Sequence, residues 1–215
     1  GLGFNLRPFS TNDVIAPPLP AATVEEHLKF RREAVASSLA SLESLLPSPD
    51  GRLPTNRLAK LLRRAGIVPG INLDAVMVSS FHSRSLNCWG VQLQRAGRLT
   101  EAGESFAQAQ SMNPKNVPAK INLEFNQNLA AGSRAAVKLT RNLEEEFGSY
   151  RSWNQMIGEN GPFDEPVYCY EQGRVFAQGG LYRQSLQEFE RVRSLLSADI
   201  PSRLWLANLY LTCRL

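Results

Sequence analysis

The sequence predicts an all-α fold, a stack of antiparallel helix pairs, and three observations carry that expectation. Residues 83–116, SRSLNCWGVQLQRAGRLTEAGESFAQAQSMNPKN, hold two amphipathic stretches that meet at a glycine turn and close on a proline. A pair of glycines seven residues apart, Gly90 and Gly97, returns as Gly173 and Gly180. The step from Gly173 to Ala207, in RLWLANLYL, is then 34 residues. Apolar residues spaced three and four apart mark helices. A recurring period of this length marks a repeat array.

Residues 1–22 contain Pro8, Pro17, Pro18 and Pro20 and an Asn12–Asp13 turn signal, so they read as an extended arm or linker. Leu2, Phe4, Leu6, Phe9, Val14 and Ile15 give this arm apolar residues with which to lie along the domain. Residues 23–82 read as an N-terminal helical cap. Thr23 with Glu26 has the capping-box form, and Leu28, Val35, Leu39, Leu42, Leu45 and Leu46 continue at helical spacing to a Pro/Gly stop at 47–51. A second cap helix is expected over 55–65, with Leu58, Leu61 and Leu62 on one side and Gly66 as its stop. A longer helix then runs from about Asn72 to Gly97.

The first repeat is 83–116. From Gly90 to Gly173 is 83 residues, two periods plus 15, so a degenerate repeat (117–150) and an insertion (151–165) are expected between them. Glu124 falls at the small-residue place of that middle repeat, but Leu123, Gly132, Ala136, Leu139 and Leu143 still allow two helices around a turn at 130–133. The insertion carries Trp153 and Phe163. These either plug the gap between helix pairs or mark a binding surface, because insertions in repeat arrays collect on one face. A further repeat spans 166–199, and 200–215 is a terminal helix.

Trp89, Gly90, Leu93, Gly97, Leu99, Ala102, Phe106, Ala109 and Pro114 occupy the large, small, aromatic and breaker positions of a tetratricopeptide repeat (TPR). Gly173, Phe176, Tyr182, Phe189 and Val192 occupy the matching positions later in the chain. Residues 83–215 thus resemble the TPR family. The resemblance implies a right-handed α-α superhelix with a concave groove lined by the first helix of each pair. Groove positions carried over from the family are Arg84, Asn87, Val91, Gln94 and Arg95, then Val167, Tyr170, Arg174, Ala177 and Gln178. The family's lysine/asparagine clamp for a peptide C-terminus is not reproduced at Asn87 and Val91. Arg84, Arg95 and Arg174 make the groove cationic and favour an acidic segment as ligand.

Catalytic motifs are missing. There is no P-loop, no dinucleotide-binding glycine motif and no nucleophile elbow. His27 and His82 lie in segments expected to be far apart. Glu144, Glu145 and Glu146 are contiguous and point in different directions on a helix. Cys88, Cys169 and Cys213 form no CxxC pair, which argues against a disulfide framework or a zinc site. No catalytic residue, metal or cofactor is therefore expected.

The net charge of +4 is spread along the chain, so no nucleic-acid partner is expected. One basic stripe, Arg57, Lys60, Arg63 and Arg64, fits either phosphate contact or the C-terminal end of its own helix dipole. No apolar run reaches the roughly 18–20 residues a bilayer requires, and the first ten residues, GLGFNLRPFS, lack a signal-peptide pattern. The chain reads as a piece of a longer protein whose anchor or address lies elsewhere, with compartment and oligomeric state left open. The expected function is a non-catalytic scaffold holding a peptide, a partner protein or another part of its own chain. The alternative is an accessory TPR domain of a larger, membrane-anchored enzyme.

Overall fold

A computed structural model describes residues 19–46, 72–138 and 141–213. The arm up to residue 18 and the expected cap helix over 55–65, with its basic stripe, lie outside the described residues. Among the described residues the chain is all-helical, with no strand. The helices are α1 (Ala21–Phe30), α2 (Ala36–Leu45), α3 (Leu73–Arg95), α4 (Leu99–Met112) and α5 (Val117–Ala130). They continue with α6 (Arg141–Gly148), α7 (Trp153–Asn160), α8 (Pro166–Gln178), α9 (Tyr182–Leu195) and α10 (Ile200–Cys213). A π-helical turn, Arg31–Val35, joins α1 to α2.

The helix ends carry the period independently of the core residues. The side chains of Asn116, Glu165 and Asp199 each accept a backbone N–H three residues on, satisfying a free amide at a helix start. Asn116 and Glu165 are 49 residues apart and Glu165 and Asp199 are 34 apart, the same period with the same 15-residue excess. At the opposite ends Gly97, Gly132 and Gly180 take φ of 77°, 76° and 73°. The amide after each glycine closes back five residues, Arg98 to Leu93, Ser133 to Asn128 and Leu181 to Phe176, at 2.8–2.9 Å. These are three copies of one αL helix stop, which glycine enters without strain.

Two pairs, α3/α4 and α8/α9, share a contact. A Cβ built on Gly90 would lie 2.5 Å from the Phe106 ring, and one on Gly173 would lie 2.9 Å from Phe189. Phe106, Phe189, Ala102 and Ala109 are fully buried. The early start of α3 is anchored by Ser83, which donates to the Ala109 carbonyl at 2.7 Å, and by Ser79, which donates to that of Met112.

Helices α1 and α2 cover the first pair. Val24 and Leu28 pack with Trp89 and Val91, and Leu39 and Leu42 with Leu86 and Ala109. Arg31 donates to Ser105 and Gln108 on α4, at 3.2 and 2.6 Å. Helix α1 begins at Ala21, two residues before the expected start. Pro20 presets the entry dihedral and Ala21–Ala22 favour helix, so Thr23 sits inside the first turn and the end has no side-chain cap.

Beyond α5 the pattern changes. Residues 133–138 are not helical, and α6 is only eight residues long. Among the described residues no second helix lies along α5 as α4 lies along α3. Glu124, one period after Gly90, is consequently exposed, which is why a charged residue is tolerated there. The space a second helix would fill goes to α7 and the segment after it.

Candidate functional site

Residues 161–165, Gly-Pro-Phe-Asp-Glu, leave α7 as an extended strap threaded between α3 and α5 on one side and α8 and α9 on the other. Gly161 turns the chain with φ 88°. A Cβ there would meet Asn87 Nδ2 and Cys88 Sγ, both at 3.0 Å, so close approach and positive φ both call for glycine.

Carboxamide side chains then take up the strap's main chain. Asn87 Nδ2 donates to the carbonyls of Asn160 and Pro162 (2.9 and 3.1 Å), and Asn122 Nδ2 also donates to that of Pro162 (3.0 Å). The two asparagines are tied together, Asn122 Nδ2 donating to Asn87 Oδ1 at 2.8 Å. Asn122 Oδ1 accepts the Asp164 amide (2.8 Å), and Gln94 Nε2 donates to the Asp164 carbonyl (3.1 Å). Gln172 accepts the Phe163 amide and donates to its carbonyl, at 3.3 and 3.4 Å. Asn87, Gln94, Asn122 and Gln172 are all buried. A buried main chain without a sheet or helix to join must find such partners, because each unpaired group costs about 1–3 kcal/mol.

Asp164 locks the strap. Its carboxylate is fully buried and meets Arg191 in a two-pronged pair (2.9 and 2.6 Å), Arg95 Nε (2.7 Å) and Gln94 Nε2 (2.9 Å). Arg95 also reaches Glu188 at 3.1 Å, so two arginines and two carboxylates form one chain of charge. Burial alone would lower the Arg95 pKa, but Glu188 and Asp164 outweigh it and hold the guanidinium charged. Burial pushes the Glu188 carboxyl above its ordinary value, with Arg95 pulling it back in part. Cys169, beneath this cluster, is fully buried, and burial pushes its thiol well above the usual range, so it stays neutral.

The strap's apolar side enters the core. Phe163 is fully buried and stacks on Tyr168 at 4.8 Å, with Trp153 and Phe147 completing an aromatic cluster. Glu165 ends the strap and caps α8, accepting the amides of Tyr168 (3.1 Å) and Val137 (3.3 Å).

Burial raises the Glu165 pKa, and those two amides offset only part of the rise. A carboxyl whose folded value lies above its unfolded one favours folding below the ordinary 4.5, and that contribution is lost as pH rises through the folded value. In denaturant titrations the stability of wild type relative to Glu165→Gln should therefore fall as pH goes from about 4 to about 7. At the low end the two should be about equal, because the protonated carboxyl and the carboxamide each keep one carbonyl oxygen for these amides. A wild type that gains on the variant as pH rises would show the carboxylate to be the favoured buried form.

Of the residues expected to line a groove, Asn87, Gln94 and Arg95 all grip the strap. Val91 is turned away, buried against α1 and α4. Arg84 is exposed. Tyr170 packs edge-on against Phe189 and accepts a hydrogen bond from Trp205 (3.2 Å). Arg174 pairs with Glu171 on its own helix (3.1 Å), and Gln178 is exposed. Trp153 and Phe163, the two aromatics of the insertion, meet at 5.6 Å. Asn122, Asp164, Gln172, Glu188 and Arg191 were not singled out from the sequence. Their signal was faint: polar residues on helix faces otherwise read as apolar, such as Asn122 beside Ile121 and Gln172 beside Gly173.

The His27 ring packs against Trp89 in a tilted arrangement, centroids 3.9 Å apart, while His82 is half-buried on α3 itself. Among the described residues no group of His, Cys, Asp and Glu could hold a metal ion, and no helix is long and apolar enough to cross a membrane. Set against protein-family models, curated proteins and solved structures, the chain matches none of them.

Proposed function

We propose that this chain is a TPR-type helical array acting as a non-catalytic scaffold, and that its groove recognises an extended acidic segment. One observation carries the reading. The three successive carbonyls of Pro162, Phe163 and Asp164 in the strap are each held by a side-chain amide, and Asp164 is clamped by two arginines. Main-chain hydrogen bonds that supply affinity, with a charged pocket that supplies specificity, are how grooves read extended peptides. Here the seat is taken by the chain's own strap. The repeat architecture is supported by the matched Gly90–Phe106 and Gly173–Phe189 contacts and by the period of the helix caps.

The test uses a synthetic peptide of the strap, residues 158–166, and the full chain carrying Asp164→Ala. The variant should bind the peptide and recover part of its lost thermal stability, because the peptide's aspartate refills the arginine clamp. Wild type, its seat occupied, should show at least tenfold weaker binding. A peptide with Ala in place of the aspartate should not rescue. If the wild-type peptide neither binds nor stabilises the variant, the groove is only a core and the recognition reading fails.

A further inference from the structure

The strap carries more than a charge into the groove. Every main-chain polar group from the Pro162 carbonyl to the Asp164 carbonyl meets a carboxamide of α3, α5 or α8. Such contacts hold any extended chain alike, so selection has to come from the side chains. Successive side chains of an extended chain leave on opposite sides. Here two neighbours enter two unlike pockets.

Phe163 fills an apolar pocket. It is fully buried, stacked on Tyr168 of α8 at 4.8 Å and 16°, in one core with Ile121 and Phe125 of α5. Asp164 fills a charged one, with Arg191 of α9 and Arg95 and Gln94 of α3 at 2.6–2.9 Å. A carboxylate in the place of Phe163 would be a charge buried among rings. A ring in the place of Asp164 would leave Arg191 with neither of its prongs engaged. Both arrangements are costly, so the seat distinguishes aromatic-then-acid from acid-then-aromatic. It also measures length, because a carboxylate one methylene longer cannot keep all of these short contacts in a fully buried site.

The seat has contacts of its own that hold its shape. Helices α3, α8 and α9 are positioned by the Gly90–Phe106 and Gly173–Phe189 approaches, in which the strap takes no part. Within the seat Asn122 is bonded to Asn87 and Arg95 to Glu188, again without the strap between them.

We propose that the partner of this groove is an extended protein segment in which an aromatic residue immediately precedes an aspartate, the strap being its internal stand-in. This rests on the groove recognising acidic segments, and it narrows that class: charge without the preceding ring does not suffice.

The receptor for the test is the full chain carrying Asp164→Ala. Asp164→Asn, which keeps the shape of the side chain and removes its charge, is a second receptor should the first not fold. Dissociation constants are measured by fluorescence anisotropy for four labelled peptides of residues 158–166. They are the natural sequence, one with residues 163 and 164 exchanged, one with Phe163→Ala and one with Asp164→Glu. The exchanged peptide has the same composition and charge as the natural one. It and the Phe163→Ala peptide should each bind at least tenfold more weakly, and the Asp164→Glu peptide should also lose affinity. If the exchanged or the Phe163→Ala peptide binds as tightly as the natural one, the proposal is overturned while recognition by charge stands. Equal binding of the Asp164→Glu peptide overturns the choice of aspartate. If no peptide binds either receptor, recognition by the groove fails and this proposal falls with it.

Discussion

Asp164→Ala should lower the folding free energy by about 3–4 kcal/mol, the cost of breaking a buried pair by removing one partner. The carboxylate is fully buried, and its partners Arg191 and Arg95 are only 15 and 26% exposed, so neither arginine can recover full hydration when it is gone. Arg95 keeps Glu188 as a partner, whereas Arg191 has both prongs on Asp164. The orphan is therefore Arg191, and Asp164→Ala/Arg191→Met should be more stable than Asp164→Ala alone. For a chain of this size the single change corresponds to a fall of about 6–16 °C in Tm. Limited proteolysis at Phe163 should turn from slow to fast. A loss below about 1 kcal/mol would mean that the carboxamides alone hold the strap.

This outcome separates two functions for one structure. The strap's carbonyls are satisfied by Asn87, Asn122, Gln94 and Gln172 whether or not the aspartate is present, so the amides determine where the strap lies. The two arginines determine how tightly it stays. A segment held mainly by one charged contact can exchange with a segment of like charge, whereas one held only by apolar packing is simply core. Phe163, fully buried among Trp153, Phe147 and Tyr168, opposes release, so exchange at the groove requires the aromatic anchor to lift with the aspartate.

The helix pairs were legible in the sequence because their determinants are local and periodic. Gly90 and Phe106 are 16 residues apart, as are Gly173 and Phe189, and each pair needs only its own turn at Gly97 or Gly180. The strap was not legible, because its partners are scattered. Asn87 and Gln94 reach it from about 70 residues away, Asn122 from about 40, and Arg191 from the other side along the chain. Asparagine and glutamine on a helix read as surface, and only the folded chain shows them turned inward. The degenerate middle repeat was half legible. Gly132 stops α5 as expected, but Ser133–Ala135–Ala136–Lys138 give no local reason to be extended. There Val137 enters the core and gives its amide to Glu165, a contact made 28 residues away.

The close contact under Gly90 makes a sharper prediction than either residue alone, because a second substitution should reverse the sign of the first. Phe106→Ala should cost about 3–5 kcal/mol, the loss of a fully buried aromatic side chain and the cavity it leaves. Gly90→Ala in wild type should cost about 1–3 kcal/mol, because its Cβ would stand 2.5 Å from the fully buried Phe106 ring. In the Phe106→Ala background the ring is gone. Alanine is the better helix former by about 1 kcal/mol, so Gly90→Ala should then stabilise the protein. The same cycle at Gly173 and Phe189, where the gap is 2.9 Å, should show the reversal with a smaller penalty. Equilibrium denaturation of the four variants at each pair measures both coupling energies. If Gly90→Ala stays unfavourable after the ring is removed, the glycine serves something other than the approach of two helices, and the match between the two pairs would lose its physical basis.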